Sequence, residues 1–317
     1  MSIFRDFFAV KQKPIFTGSR FGFGSGGGGA AAEPLPSLEA SGGNVNGQAP
    51  GDGYKYHVFN SPGTLTINSV DGGLIEVILV GGGGGGRHGG DSAGGGGGAG
   101  GLVYRHSIPV ATGNTFPISI GSGGTGNGDQ AGSATDIGGD TTGFSLTAKG
   151  GGAGSGRYGG PSPVVNATPG GSGGSASNFG YGRGTATQPA QNPGVPNLTQ
   201  YGNPGWLGGD SSPYMYTDKT GGSSNLNNEG SPAFGQIPSA QLPFPGQPGG
   251  STILSGAPWG PTRHIALGGF YVPSSSSPLV RAANSYGCGG HGTPSNNTGG
   301  FGGVCVVRYT PTTNAPN

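Results

Sequence analysis

The groups in this chain with the strongest intrinsic chemistry are five histidines (His57, His88, His106, His264, His291) and two cysteines (Cys288, Cys305). A catalytic or structural metal needs such ligands in pairs at short spacing, and neither an H-E-x-x-H nor an H-x-H pair occurs. Cys288 and Cys305 are too few for a disulfide framework and lack metal-ligand spacing, so both are expected as buried thiols. Asp91 and Ser92 lie near His88, but a serine nucleophile needs a strained elbow with an orienting carboxylate, and no G-x-S-x-G falls on a strand-to-helix turn. Gly81 to Gly86, directly after Val80, satisfy G-x-G-x-x-G, as any glycine run does. No amphipathic helix follows, and Arg87-His88-Gly89-Gly90 lacks the Lys-Ser/Thr of a phosphate loop, which argues against a nucleotide site. The residues therefore point to a protein without catalytic, cofactor or metal groups, and not to an enzyme.

Composition narrows the class further. Lys plus Arg number 14 and Asp plus Glu 13, a formal net charge of +1, which leaves no electrostatic footprint for nucleic acid or anionic lipid. Met1-Ser2-Ile3-Phe4-Arg5-Asp6-Phe7-Phe8 is broken by charges before an apolar secretory core forms, and no apolar stretch is long enough to span a membrane. The expectation is a protein made in a cytoplasm, with neither nucleic acid nor membrane insertion among its partners.

The elements that position any functional surface differ in texture along the chain. Residues 1–24 carry Phe4, Phe7, Phe8, Phe16, Phe21 and Phe23 among Arg5, Lys11, Lys13 and Arg20, the composition of an anchoring peptide, since so many exposed phenylalanines would otherwise invite aggregation. Residues 25–53, with Gly26 to Gly29, Ala30 to Ala32 and Glu33-Pro34-Leu35-Pro36, read as a tether. From residue 54 strands begin: 54–59, 64–67, a doubly apolar 74–80 expected at the centre of a sheet, 101–106, 116–120 with Pro117 at an edge or bulge, 142–149 and 303–309. Residues 311–317 form a polar tail.

Between Gly150 and Gly302 no strand of ordinary length and no helical periodicity is legible, and the 78 glycines of the chain are clustered. Glycine brings no side chain to bury, so such a segment gains stability only where backbones pack and hydrogen-bond to one another, as polyproline II chains can. The expected fold is all-β: a small antiparallel sheet or sandwich closed by the C-terminal strand, a long glycine-rich insertion of polyproline II or polyglycine II kind, and an extended N-terminal arm. Aromatics of the insertion either plug the ends of the glycine helices or form a contact surface like that of a paratope. Trp206, Tyr214, Tyr216 and Trp259 are the contact candidates, because each sits among Pro, Gly, Ser or Asp suited to a tight exposed turn.

Tyr56 to Ile67, Ile75 to Gly85, Gly98 to Tyr104 and Gly299 to Tyr309 together resemble the glycine-rich domain that recurs in bacteriophage and bacterial surface proteins, over residues 54–310. The opening Phe7 to Gly18 is similar to the short leader of structural proteins in marine tailed phages, especially those of cyanobacteria. The resemblance implies a virion component, assembled in the host cytoplasm. Phe4, Phe7, Phe8, Phe16 and Phe21 would dock on other virion proteins of the tail, portal region or capsid. The domain would act as a tail-fibre adhesin towards a host surface glycan or protein, with a capsid-decorating or architectural role as the alternative. A homo-oligomer is implied, a trimer in first place.

Overall fold

The computed structural model describes residues 38–48, 54–69, 73–87, 94–126, 136–157, 164–176, 182–188, 191–205, 253–256, 260–264, 286–290 and 299–311. Among them there is no helix. The strands are β1 (Glu39–Ser41), β2 (Val45–Gln48), β3 (Lys55–Phe59), β4 (Gly63–Ser69), β5 (Leu74–Val80), β6 (Leu102–Pro109), β7 (Thr115–Ile118), β8 (Thr141–Gly143), β9 (Leu146–Ala148), β10 (Gly156–Arg157), β11 (Val164–Val165), β12 (Leu198–Tyr201), β13 (Ile253–Gly256), β14 (Gly260–His264) and β15 (Val304–Tyr309). All strand pairings are antiparallel, and no sheet closes into a barrel. A six-stranded sheet has the order β12-β6-β5-β15-β3-β2, a three-stranded sheet the order β1-β4-β7, and β8-β9, β10-β11 and β13-β14 are two-stranded.

The C-terminal strand is the keystone of the large sheet. β15 lies between β5 (Val304 opposite Val80, Val306 opposite Ile78) and β3 (Val306 opposite Val58, Arg308 opposite Tyr56), so both of its edges are paired. Strands apolar on both faces must be covered on both, and β5 and β15 share the centre of the sheet. On the first face Phe59, Val77, Leu79, Val103, Cys305, Val307 and Tyr309 join Ala40, Leu65, Ile67 and Ile118 of the small sheet and Leu146 and Ala148 of β9 in one core. On the second face Tyr56, Val58, Ile78, Val80, Leu102, Tyr104, Val304 and Val306 form another. Pro117 sits on β7, an edge strand, where its missing N–H leaves no ladder bond broken.

Three segments differ from their sequence readings. The tether reading of 25–53 fails for residues 38–48, where β1 joins the small sheet, β2 the edge of the large one, and Leu38 and Ala40 are buried. Its glycines are the reason: Gly42 (φ 122°) and Gly43 (φ 93°) turn the chain between two strands too short to alternate visibly. Residues 142–149 are a hairpin instead of one strand, because Phe144 (φ 56°) and Ser145 (φ 57°) both adopt the left-handed conformation of a tight turn without the usual Asn-Gly signal. Phe144 is held there by stacking on Phe116, ring centroids 4.7 Å apart. Within 150–302, β12 adds an edge to the large sheet and β13-β14 forms a hairpin.

One buried polar chain ties the first strands to the last. Nδ1 of His57 donates to the Gly42 carbonyl (2.8 Å), Nε2 faces the Tyr309 hydroxyl (3.2 Å), and the Ala40 N–H donates to that hydroxyl oxygen (3.1 Å). Burial, aided by nearby Lys55, holds the imidazole below its ordinary value of 6.5, against the opposing pull of the Gly42 hydrogen bond. The neutral ring belongs to the folded state, so stability from this group is complete above the unfolded value and is lost as pH falls below it. The stability is expected to hold steady from pH 8 to 7 and to fall below about pH 6.5, lowering the melting temperature as the unfolded imidazole takes up its proton before the folded one. Parallel melting of His57→Gln checks this, since the variant lacks the titrating ring; identical pH slopes for both proteins would refute the assignment.

Candidate functional site

Beyond the ends of the strands, glycine runs continue as straight, hydrogen-bonded chains. Residues 81–87 leave β5, and the N–H groups of Gly81, Gly84 and Arg87 donate to the carbonyls of Gly101, Gly98 and Gly95 in the run entering β6 (3.0, 2.9 and 3.0 Å). The next face of the same run donates from Gly82 and Gly85 to Gly139 and Asp136, and accepts from Gly151 and Gly154. Gly83 donates to Phe301 and accepts from Gly124, and Gly84 accepts from Gly290. One run thus bonds to six others: 94–101, 119–126, 136–140, 149–155, 286–290 and 299–303. The spacing of three residues per neighbour recurs elsewhere. Gly95, Gly98 and Gly101 donate to Ser155, Gly152 and Lys149, while Gly97 and Gly100 donate to Gly290 and Gly287.

Glycine is required here by contact. A Cβ on Gly81, Gly82, Gly83, Gly84 or Gly85 would enter the carbonyl of Lys149, Ser122, Cys288, Gly152 or Thr125 respectively, five consecutive positions closed by three different runs. With neighbours all round, no side of this run is open. The sequence reading placed the packed glycine in 150–302, whereas the enclosed run comes from the β5–β6 connection. Small side chains fit at chosen places only: Ala99, Ala153, Ser155, Ser172 and Ser175 are fully buried. Ser175 repays its hydroxyl by accepting from Gly96 N–H (2.7 Å) and donating to Gly96 O (3.1 Å).

Two ion pairs, one buried and one half-buried, sit at opposite ends of this architecture. Away from the strands, Arg87 Nε and Nη2 donate to Asp136 Oδ2 (3.2 and 3.1 Å), and Thr125 Oγ1 donates to Oδ1 (3.1 Å), which cross-links three runs. Arg87 Nη1 is buried without a hydrogen-bond partner. On the second face of the large sheet, Arg308 Nη2 and Nε donate to Glu76 Oε2 (2.8 and 3.1 Å), Tyr104 Oη donates to the same oxygen (2.8 Å), and the guanidinium lies 4.1 Å from the Tyr54 ring centroid. Burial works against the Arg308 charge and Glu76 outweighs it; burial and the Glu76 carboxylate push the Tyr104 hydroxyl up. The signal for this pair was one residue of each sign in two otherwise apolar strands.

None of these groups forms a nucleophile and base pair. Cys288 and Cys305 are buried and form no disulfide, and burial pushes the Cys305 thiol far up, away from thiolate chemistry. Among the described residues no group of three or more His, Cys, Asp and Glu could hold a metal ion. The arrangement can do one thing well: hold backbone rigidly and carry chain away from a sheet. Residues 88–93, 127–135 and 291–298, outside the described set, follow from the run ends opposite the strands. The expected anchoring residues Phe4, Phe7, Phe8, Phe16 and Phe21 and the contact candidates Trp206, Tyr214, Tyr216 and Trp259 all lie outside the described residues.

A family model described as a glycine-rich domain matches residues 58–310. No curated protein matches the chain.

Proposed function

The chain belongs to this glycine-rich domain family, and from that premise we propose that it is a structural protein of a tailed bacteriophage virion, anchored by residues 1–24 and displaying the glycine-rich domain as a tail-fibre adhesin. The observation that carries the reading is the run 81–87 enclosed by six others. The three-residue hydrogen-bond repeat supports a polyglycine II bundle, and the core shared by the large and small sheets supports a β-sandwich at its base. Such a scaffold is stiff without a hydrophobic interior and leaves connecting segments free to diverge, the division of labour expected of a recognition module. Its partners are other virion proteins at the N-terminal peptide, further copies of the chain as a homo-oligomer with a trimer favoured, and a glycan or protein of the host surface. The role proposed is a non-catalytic one.

Recognition is assigned to aromatics of the insertion, because the apolar positions of the sheet are committed to packing. Tyr214 and Tyr216 follow Pro213 in one short stretch and are the pair to test. Deleting residues 1–24 is expected to leave the domain folded and absent from purified particles. Tyr214→Ala combined with Tyr216→Ala is expected to reduce adsorption to host cells with particle yield unchanged. Incorporation of the truncated protein at normal stoichiometry would end the anchoring assignment. Unchanged adsorption with loss of particle stability would favour capsid decoration.

A further inference from the structure

The second face of the large sheet is closed beside the glycine runs and open at the opposite end. Val80, Leu102 and Val304, next to the runs, are at most 1% exposed, whereas Leu74 at the far end of β5 is 54% exposed and His106 and Ser107 on β6 are exposed. Between them the Glu76 side chain keeps 23% of its surface in solvent. A bulge shapes this end: Ile75 pairs with Ile108 and Val77 with Arg105, so His106 and Ser107 together oppose the single residue Glu76. Ser107 is held there at φ 56°, a left-handed backbone that glycine adopts freely and serine does not, and its Oγ lies 2.8 Å from His106 Nδ1. Glu76 is fixed as firmly, because the donors from Arg308 and Tyr104 all meet Oε2, which leaves Oε1 for an incoming donor.

We propose that this open end, with Leu74, Glu76, His106 and Ser107 at its centre and Tyr54 at its border, is a binding site for a neutral sugar residue. Charge selects against other small ligands. Arg308 already neutralises Glu76, so a cation meets the guanidinium and an anion meets the carboxylate, while an uncharged hydroxyl donates to Oε1 without either conflict. Peptides are disfavoured by the backbone: β5 and β6 are inner strands paired on both sides, so no strand edge is offered for an extended chain to join. The patch is centred on two strands, about 10 Å across, a width suited to one or two sugar rings. A pyranose supplies both chemistries that the patch calls for, with C–H faces for Leu74 and the rings of His106 and Tyr54, and hydroxyls for Glu76 Oε1, Ser107 Oγ and His106 Nε2. These groups are set before a ligand arrives: the Tyr54 ring rests on Arg308, the His106 ring lies beside Tyr104, and the carboxylate is held by three donors, so little ordering opposes binding. The site is separate from the insertion aromatics and stands whether or not the chain belongs to a virion.

Saturation-transfer NMR on the full chain tests this, with the methyl glycosides of glucose, galactose, mannose, N-acetylglucosamine and N-acetylgalactosamine as neutral probes and glucosamine and glucuronic acid as charged ones. Transfer to at least one neutral glycoside is expected, and weaker transfer to both charged sugars. His106→Ala combined with Ser107→Gly is expected to bring the signal to background with the melting temperature unchanged or raised, since both side chains are exposed and glycine relieves the backbone. Leu74→Ser, also at an exposed position, is expected to weaken binding independently. Tyr214→Ala combined with Tyr216→Ala is expected to bind as the parent does. Silence from every neutral glycoside overturns the proposal and leaves the patch to a peptide. Stronger binding of a charged sugar overturns it too, as does binding that survives the His106 and Ser107 replacements or vanishes with those of Tyr214 and Tyr216. None of these measurements reads adsorption, so this test and that of the virion role fail separately.

Discussion

Gly83→Ala is expected to destabilise the domain by about 3–5 kcal/mol, combining overpacking with the weakening of two backbone hydrogen bonds. Its Cβ would enter the carbonyl of Cys288 and approach the Gly289 nitrogen at 2.7 Å, and backbone cannot swing aside as the tip of a long side chain can. Moving the run away is no remedy, since Gly82 and Gly85 are pressed against the 119–126 run and Gly84 against the 149–155 run. The bonds from Gly83 N–H to Phe301 (2.8 Å) and from Gly124 N–H to Gly83 (2.8 Å) lengthen with any shift. For a domain of this size the loss is roughly 10–15 °C in melting temperature. Gly302→Ala is the control within the same bundle: its Cβ would meet only the Gly121 oxygen, at an ordinary 3.6 Å, so it should melt close to the parent. Gly151→Val and Gly170→Val, against the backbones of residues 98–99 and 150–152, belong with Gly83. Thermal melts of these variants decide the matter, and equal melting of Gly83→Ala and Gly302→Ala would show that the runs are slack.

Ending the chain before Val304 is expected to abolish the fold. Six consecutive residues, Val304 to Tyr309, are at most 1% exposed, and the strand is paired on both sides. At about 1.5–3 kcal/mol per large apolar side chain, the three valines and Tyr309 alone approach the 5–15 kcal/mol that stabilises a typical domain. Removal also strips β3 and β5 of their shared neighbour and leaves two open edges facing each other, which invites intermolecular pairing. The truncated protein should be found in the insoluble fraction. A soluble, monodisperse product with a cooperative melt would show that the sheet closes without its last strand.

What was legible in the sequence is what alternation and side-chain bulk encode. Leu74 to Val80 and Val304 to Tyr309 announce themselves as buried strands, and Pro117 announces an edge. The hairpin at Phe144-Ser145 was hidden because its turn is held by tertiary stacking on Phe116 instead of by glycine. Val45 to Gln48, with a register break and a left-handed Gly47, carries no visible period. The glycine runs were legible as a choice between slack chain and packed backbone. Their partners were not, because hydrogen bonds between glycines leave no pattern of side chains from which to read who lies beside whom. Arg87 and Asp136 illustrate this: forty-nine positions apart, they meet only because two runs do.

The three-residue repeat of the enclosed runs has a consequence for how such a domain can change length. Adding one or two residues to a run rotates every later N–H away from its acceptor, whereas adding three restores the same phase one turn further on, about 9 Å longer. Two antiparallel runs joined at their outer end, such as 81–87 and 94–101, can therefore lengthen together by one triplet each, carrying the segment between them outward while the sheet stays as it is. At the level of the gene the tolerated unit is nine nucleotides. Within the repeats, slippage by that unit would vary the reach of the bundle without disturbing its lattice.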